Sequence, residues 1–267
     1  MKIREIECKS LLTKSGLADY TINCYVGCQH ACAYCYARYM KRFTNHPEPW
    51  GTFVDVRANA PAVLARQLRR ARPGRVFVSS VCDAWQPLEA EHGVTRECLR
   101  LLVEAGFPVG ALTKSALVAR DVDLLARGEC DLGVTITTAD ERLRERLEPG
   151  ASPTRERVEA LRTAAARGVR VWAFLGPFMP YLSDTEENIN ALLGMLEGIP
   201  LTHVYADKLN LRPGVSKSVG GFIERYYPGL SPLYQELEME EHAYREYAHR
   251  VKETAARLAA RWGRRMA

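Results

Sequence analysis

Strand-like and helix-like stretches alternate from Tyr20 to Leu209, and that alternation restricts the fold more than any other property of the chain. The strand candidates are Tyr20 to Cys24, Arg75 to Ser79, Val109 to Thr113, Leu132 to Thr138, Val169 to Leu175 and His203 to Leu209. Helical patterns fall at 62–71, 95–105, 120–127, 154–167 and 185–196, the first with Leu64 and Leu68 on one face. Strands separated by helices at this spacing call for parallel βαβ units. Six strands suit a curved (βα)6 partial TIM barrel of parallel strands, not a closed eightfold one. Ser152 as N-cap, with Pro153, should start the helix at 154, and Ser183 with Glu186 has capping-box spacing ahead of the next. From Met239 to Arg264 the composition is that of a long charged helix, with Tyr244, Tyr247, Val251, Leu258 and Trp262 at helical steps. It is expected to lie across the barrel's open side. The expectation is one domain: a lead-in at 1–19 without clear period, the partial barrel at about 20–210, and an extension at about 211–267.

A chain of 267 residues can bury a full core as one unit. Its 47% apolar and 26% charged residues are ordinary for a globular protein. No stretch approaches the roughly 20 apolar residues of a membrane helix, and Met1 to Glu7 is mixed-charge without an apolar signal core. The expected location is cytoplasmic, with no membrane partner. Eight cysteines in such a chain do not read as a disulfide framework, and in a reducing compartment clustered cysteines are more often metal-binding or catalytic. The net charge of +5 permits an anionic partner such as nucleic acid without demanding one.

The chemistry concentrates in Cys28-Gln29-His30-Ala31-Cys32-Ala33-Tyr34-Cys35, directly after the first strand candidate. Thiolates are soft ligands that suit iron–sulfur clusters, zinc and Cu(I). A [4Fe–4S] cube held wholly by protein needs four thiolates, so three leave one iron open, as a catalytic cluster requires. Tetrahedral zinc with a fourth ligand from elsewhere, or a redox thiol pair, are the other readings of the same residues.

Cys28-x3-Cys32-x2-Cys35, with Tyr34 just before the last cysteine, resembles the signature of the radical SAM superfamily. Asn23 to Arg38, Asp83-Ala84-Trp85-Gln86-Pro87, Thr113-Lys114-Ser115 and Leu147-Glu148-Pro149-Gly150, in that order, resemble its spore photoproduct lyase-like branch. The similarity runs from about Tyr20 to Pro180. It implies the partial-barrel fold, a [4Fe–4S] cluster on Cys28, Cys32 and Cys35, and S-adenosylmethionine chelated to the open iron. The implied reaction is reductive cleavage to a 5′-deoxyadenosyl radical that abstracts hydrogen, with an electron donor of flavodoxin or ferredoxin type. The branch's best-understood reaction reverses a thymine dimer, so the implied substrate is a damaged or modified nucleic-acid base. One residue departs from the branch: Cys24 stands where its members commonly carry proline, either as a buried apolar residue or as a further thiol near the cluster.

Strand periodicity places side chains on this scaffold. In Leu132 to Thr137 the Leu/Val/Ile row should face the helices, and the Gly133/Thr135/Thr137 row should face inward as a ledge for a polar ligand such as a ribose. Ligand sites in parallel barrels gather at the C-terminal ends of the strands. The resemblance implies cofactor contacts at Tyr34, Ser80, Lys114, Thr135, Thr137 and Gly176, where glycine allows close backbone approach. Cys82 is the candidate hydrogen donor or a buried structural thiol. Arg146 and Arg155 are either carboxylate clamps or solvated; Cys98 and Cys130 read as structural, and His30 as polar filler of the loop. Outside the resemblance, a radical enzyme acting on a peptide or small metabolite remains open, as does a non-catalytic nucleic-acid-binding protein with structural zinc.

Overall fold

Rows of alternate apolar residues set the barrel wall. Val76 and Val78, Val109 and Ala111, Leu132, Val134 and Ile136, and Val171, Ala173 and Leu175 are all buried in the computed structural model, which describes residues 1–267. Every second residue of a strand points to one face, so these rows belong to the outer layer that the helices cover. Ten strands form: β1 (Lys2–Ile6), β2 (Thr13–Lys14), β3 (Tyr20–Ile22), β4 (Tyr25–Gly27), β5 (Phe53–Arg57), β6 (Val76–Val78), β7 (Val109–Thr113), β8 (Cys130–Ile136), β9 (Arg170–Phe178) and β10 (Leu201–Lys208). Seven of them make one open sheet in the order β10-β9-β8-β7-β6-β3-β2. Within it β3, β6, β7, β8, β9 and β10 run parallel, and only the two-residue β2 is antiparallel. The six parallel strands are the six expected from sequence.

The helices are α1 (Ala60–Leu68), α2 (Glu89–His92), α3 (Val94–Glu104), α4 (Val122–Leu125), α5 (Glu141–Leu147), α6 (Thr154–Ala166), α7 (Glu186–Met195), α8 (Pro213–Tyr226), α9 (Ser231–Met239) and α10 (Glu241–Arg261). No helix is long and apolar enough to cross a membrane. In place of the single helix expected at 120–127 stand a 3-10 turn, Ala116–Asp121, and the short α4. The break is where Asp121, fully buried, takes hydrogen bonds from Trp85 Nε1 (2.9 Å) and Arg96 (2.8 Å). Two helix starts also differ. Ser152 Oγ accepts from the Ala116 amide (2.9 Å) instead of capping α6. Thr185, not Ser183, caps α7 through the Asn188 amide (3.2 Å), while Ser183 Oγ accepts from the Met179 amide (2.8 Å).

The lead-in is more structured than its sequence suggested. β1 pairs parallel with β5, and β5 pairs antiparallel with β4, giving a second sheet of three strands. α10 packs against β10, the edge strand of the open sheet, and against α7 and α9. Its Tyr247 hydroxyl donates to the Phe178 carbonyl (2.5 Å) and accepts from the Leu209 amide (2.7 Å), pinning the ends of β9 and β10.

Candidate active site

β4 brings the chain to Gly27, whose φ of +91° turns it into the cysteine loop. A Cβ there would run into the Phe53 carbonyl of β5, so glycine lets the two backbones meet. The loop is then gripped from two sides. On one, the Gln29 amide donates to Gln86 Oε1 (2.8 Å), and Gln29 Oε1 accepts from the Leu88 amide (2.6 Å). On the other, the Ala33 amide donates to the Leu147 carbonyl (2.8 Å) and the Gly150 amide to that of His30 (3.2 Å). A side chain on Gly150 would overlap the Gln29 carbonyl. Arg38 folds back onto the carbonyls of Cys32, Ala33 and Cys35 at 3.0–3.2 Å. The blocks Asp83 to Pro87 and Leu147 to Gly150 thus act as the two jaws of a clamp.

A cavity of about 260 Å³ opens above the loop, walled by Cys28, Cys32, Cys35, Cys82, Lys114 and Thr135 among others. It sits where β6 and β7 end, since Ser79 and Lys114 directly follow those strands and both line it. Asp83 organises its rim: Oδ1 accepts from Thr113 Oγ1 (2.7 Å) and the Trp85 amide (2.9 Å), and Oδ2 from the Lys114 amide (2.8 Å). His30, also on the wall, has Nδ1 3.4 Å from Asp83 Oδ2, and its buried Nε2 has no partner. Burial outweighs Asp83 and lowers the imidazole pKa to about 4. Burial likewise pushes the Cys28 and Cys32 thiols upward, aided at Cys28 by Asp83 and opposed at Cys32 by Lys114.

The donor set is soft and shared by one space. No three His, Cys, Asp or Glu side chains draw together tightly enough to hold a single metal ion. Cys28, Cys32 and Cys35 nevertheless line the same cavity, and their sulfurs are the soft donors that suit an iron–sulfur group.

Behind the wall lies a second polar cluster. The Tyr34 hydroxyl meets the Glu148 carboxylate and lies 3.1 Å from Thr137 Oγ1. Thr137 Oγ1 is in turn 2.9 Å from Glu148 Oε1 and 3.0 Å from the Gly176 carbonyl. Glu148 pairs with Arg157 at 2.5 Å, both fully buried, and Arg157 also donates to the carbonyls of Thr135 (3.0 Å) and Ser152 (2.7 Å). Of the residues expected at the cofactor, Lys114 and Thr135 therefore share the cavity with the cysteines, as does Cys82. Tyr34, Thr137 and Gly176 meet one another outside its wall. Ser80 also stands outside, its Oγ accepting from Asn23 Nδ2 (3.2 Å). Arg155 is exposed, and Arg146 lies over the rings of Tyr226 and Tyr227. Sequence reasoning passed over Glu148 with Arg157 and Gln29 with Gln86. The Leu-Glu-Pro-Gly block was the only sign of the first pair, and the second lay unremarked inside the Asn23 to Arg38 and Asp83 to Pro87 blocks.

Cys82 is half-buried, with Sγ 3.5 Å from Ser79 Oγ and 3.8 Å from Asn23 Oδ1. Burial pushes its thiol up to about 12. Cys24 and Cys98 are fully buried in the core, and Cys130 nearly so.

The concave face continues into a second space of about 540 Å³ that shares Phe77, Leu112 and Leu17 with the first. Trp172, Phe174, His203 and Tyr205 line it, the Trp172 and His203 rings stacked within 19° of parallel. Gly133 makes room for Trp172, since a Cβ would stand 2.5 Å from that ring. The inward row predicted for β8 is thus a seat for an aromatic ring at Gly133 and cavity wall at Thr135.

A family model described as "Radical SAM superfamily" matches residues 22–193. An uncharacterized protein of Methanocaldococcus jannaschii is 35% identical over 218 residues, covering 81% of this chain and 79% of that one. The radical SAM Nalpha-GlyT isomerase of Pseudomonas phage M6 is 23% identical over 180 residues, 66% of this chain and 36% of that one. Among solved structures, spore photoproduct lyase complexed with dinucleoside spore photoproduct superposes with a TM-score of 0.71 at 17% identity, over 97% of this chain and 79% of that one. That likeness is one of fold.

Proposed function

This chain belongs to the radical SAM superfamily, and on that footing we propose that it is a radical enzyme whose Cys28, Cys32 and Cys35 hold a [4Fe–4S] cluster, with S-adenosylmethionine on the open iron. When bound, these groups supply one-electron cleavage of the sulfonium bond and, through it, hydrogen-atom abstraction from a substrate. The observation that carries the reading is the wall shared by the three thiols, Lys114 and Thr135 at the C-terminal ends of parallel strands. Family membership supports a catalytic centre at that wall, and the structural-zinc reading gives way to it.

The chain's own residues then divide into three tasks. Lys114 offers a cation to the methionine carboxylate, and Thr135 a hydroxyl to the ribose. Tyr34, Thr137 and Gly176 act as positioning residues, tying the loop to β8 and β9 through Glu148; Ser80 does the same for β6 through Asn23. Cys82 keeps an S–H hydrogen at the cavity, ready to pass that atom to a substrate carbon radical and become a thiyl. An electron carrier of flavodoxin or ferredoxin type, proposed as the reductant, would restore the thiol with one electron and a solvent proton.

For the substrate we propose a damaged or modified nucleic-acid base. Support comes from the four sequence blocks shared with the spore photoproduct lyase-like branch, from the shared fold, and from the aromatic lining beside the cavity, on which a flat base can stack. The test is an anaerobic reaction in D2O with S-adenosylmethionine, dithionite and a thymine-dimer oligonucleotide. The expected result is a repaired base carrying solvent deuterium, because thiol hydrogens exchange with water, and loss of that label in Cys82→Ala. Steady 5′-deoxyadenosine formation with no change in any base would refute the substrate assignment.

A further inference from the structure

The eight residues after Cys35 form a 3-10 helix, Tyr36–Phe43, that places an unusual set of side chains in solvent. Tyr36 is 55% exposed, Tyr39 46% and Phe43 65%. Single exposed aromatics are normal; three within eight residues are not. Residues three apart eclipse on a 3-10 helix, so Tyr36, Tyr39 and Arg42 form one row rising about 6 Å per step. The row starts at the cavity, because Tyr36 lines it, and leads outward from there. Arg42 ends the row, its guanidinium over the rings of both Tyr39 (5.6 Å) and Phe43 (4.6 Å).

The charge of this surface is one-sided. The helix holds Arg38, Lys41 and Arg42 and no acid. Arg38 is occupied by carbonyls of the cysteine loop and Lys41 by the Pro47 carbonyl (3.0 Å). Arg42 makes no ion pair, and Glu48, the next acid along the chain, contacts His46 (3.0 Å). Exposed rings alternating with unneutralised cations match the chemistry of an unpaired strand, whose bases stack on aromatic faces while its phosphates meet the cations. A duplex hides its base faces and could use only the cations. The 6 Å step from Tyr36 to Tyr39 is nearly twice the 3.4 Å stacked rise per strand, which suits unstacked bases on those two rings, with Phe43 beside the row under Arg42.

We propose that Tyr39, Arg42 and Phe43 form a platform for single-stranded nucleic acid leading to the cavity mouth at Tyr36. This rests on the nucleic-acid reading of the site and deepens it, since a base entering the cavity would arrive already unstacked. The test is fluorescence anisotropy on the full reconstituted chain with labelled dodecamers of oligodeoxythymidine and oligouridine. Comparison probes are the matching duplex and an abasic dodecamer. The expected result is a single strand bound more tightly than either comparison, with loss of about five- to a hundredfold per ring in Tyr39→Ala and Phe43→Ala. In Arg42→Ala the slope of log affinity against log salt should fall by about 0.7. A grip on one of the two sugars identifies the polymer. Binding of neither strand, or an abasic dodecamer held equally well, would overturn the proposal. Wild-type 5′-deoxyadenosine formation without oligonucleotide is scored separately: its absence sinks the radical reading, and its presence with no binding sinks only the platform.

Discussion

Replacing Glu148 by alanine should lower the unfolding free energy by about 3–5 kcal/mol, because it strands a buried guanidinium without its counter-charge. Glu148 and Arg157 are both fully buried, and the carboxylate also receives the Tyr34 hydroxyl and lies 2.9 Å from Thr137 Oγ1. Alanine leaves Arg157 Nη2 without its acceptor, while Thr137 keeps the Gly176 carbonyl and Arg157 keeps those of Thr135 and Ser152. Removing both ions should cost less than removing one: Glu148→Leu with Arg157→Met exchanges the pair for apolar volume, which is often near neutral. Urea unfolding of the two variants measures the difference. A loss under about 1 kcal/mol in Glu148→Ala, the range of an exposed pair, would show that the pair does not hold the clamp. The same variant should retain less iron after reconstitution, because Leu147 and Gly150 hold the loop on either side of Glu148.

Alanine at Cys28, Cys32 or Cys35 should eliminate the cluster, with iron and sulfide contents near background and no absorbance near 400 nm. On the proposed assignment each sulfur holds one corner of the group, and Cys82, the fourth thiol at the cavity, comes from outside the loop, after β6. Cys24→Ala and Cys98→Ala serve as controls. Both thiols are fully buried in the hydrophobic core, and their loss should cost packing and leave iron content unchanged. Iron retained by any of the three loop variants would remove that sulfur from the assignment. Iron lost in Cys24→Ala would instead give that departure from the family pattern a role at the cluster.

The barrel was readable because its strands alternate. Val76 and Val78, or Leu132, Val134 and Ile136, carry the outward row in their spelling, and the sheet follows from them. β1 was not readable for the same reason: Lys2 to Ile6 is largely exposed, so no apolar row marks it, and its pairing with β5 depends on a partner about fifty residues away. Around the site, the cysteines were legible because three thiols within eight residues concentrate soft ligands where a packed core needs none. The roles of Asp83 to Pro87 and Leu147 to Gly150 were not. Apart from the Asp83 carboxylate, their contribution is made by backbone carbonyls, a glycine without a Cβ and a glutamine amide, none of which has a spacing rule. The helix starts failed on the same ground, since Ser152 and Ser183 spend their hydroxyls on tertiary partners instead of caps.

As proposed, the three loop sulfurs carry a redox centre that opens S-adenosylmethionine. The most direct test is 5′-deoxyadenosine formation by anaerobically reconstituted protein given S-adenosylmethionine and dithionite, with the three loop variants in parallel. The wild type should give 5′-deoxyadenosine and methionine in equal amounts, and the variants none. Wild-type protein with a full complement of iron and sulfide that leaves S-adenosylmethionine intact would contradict the assignment, as would cleavage that survives loss of any one of the three sulfurs.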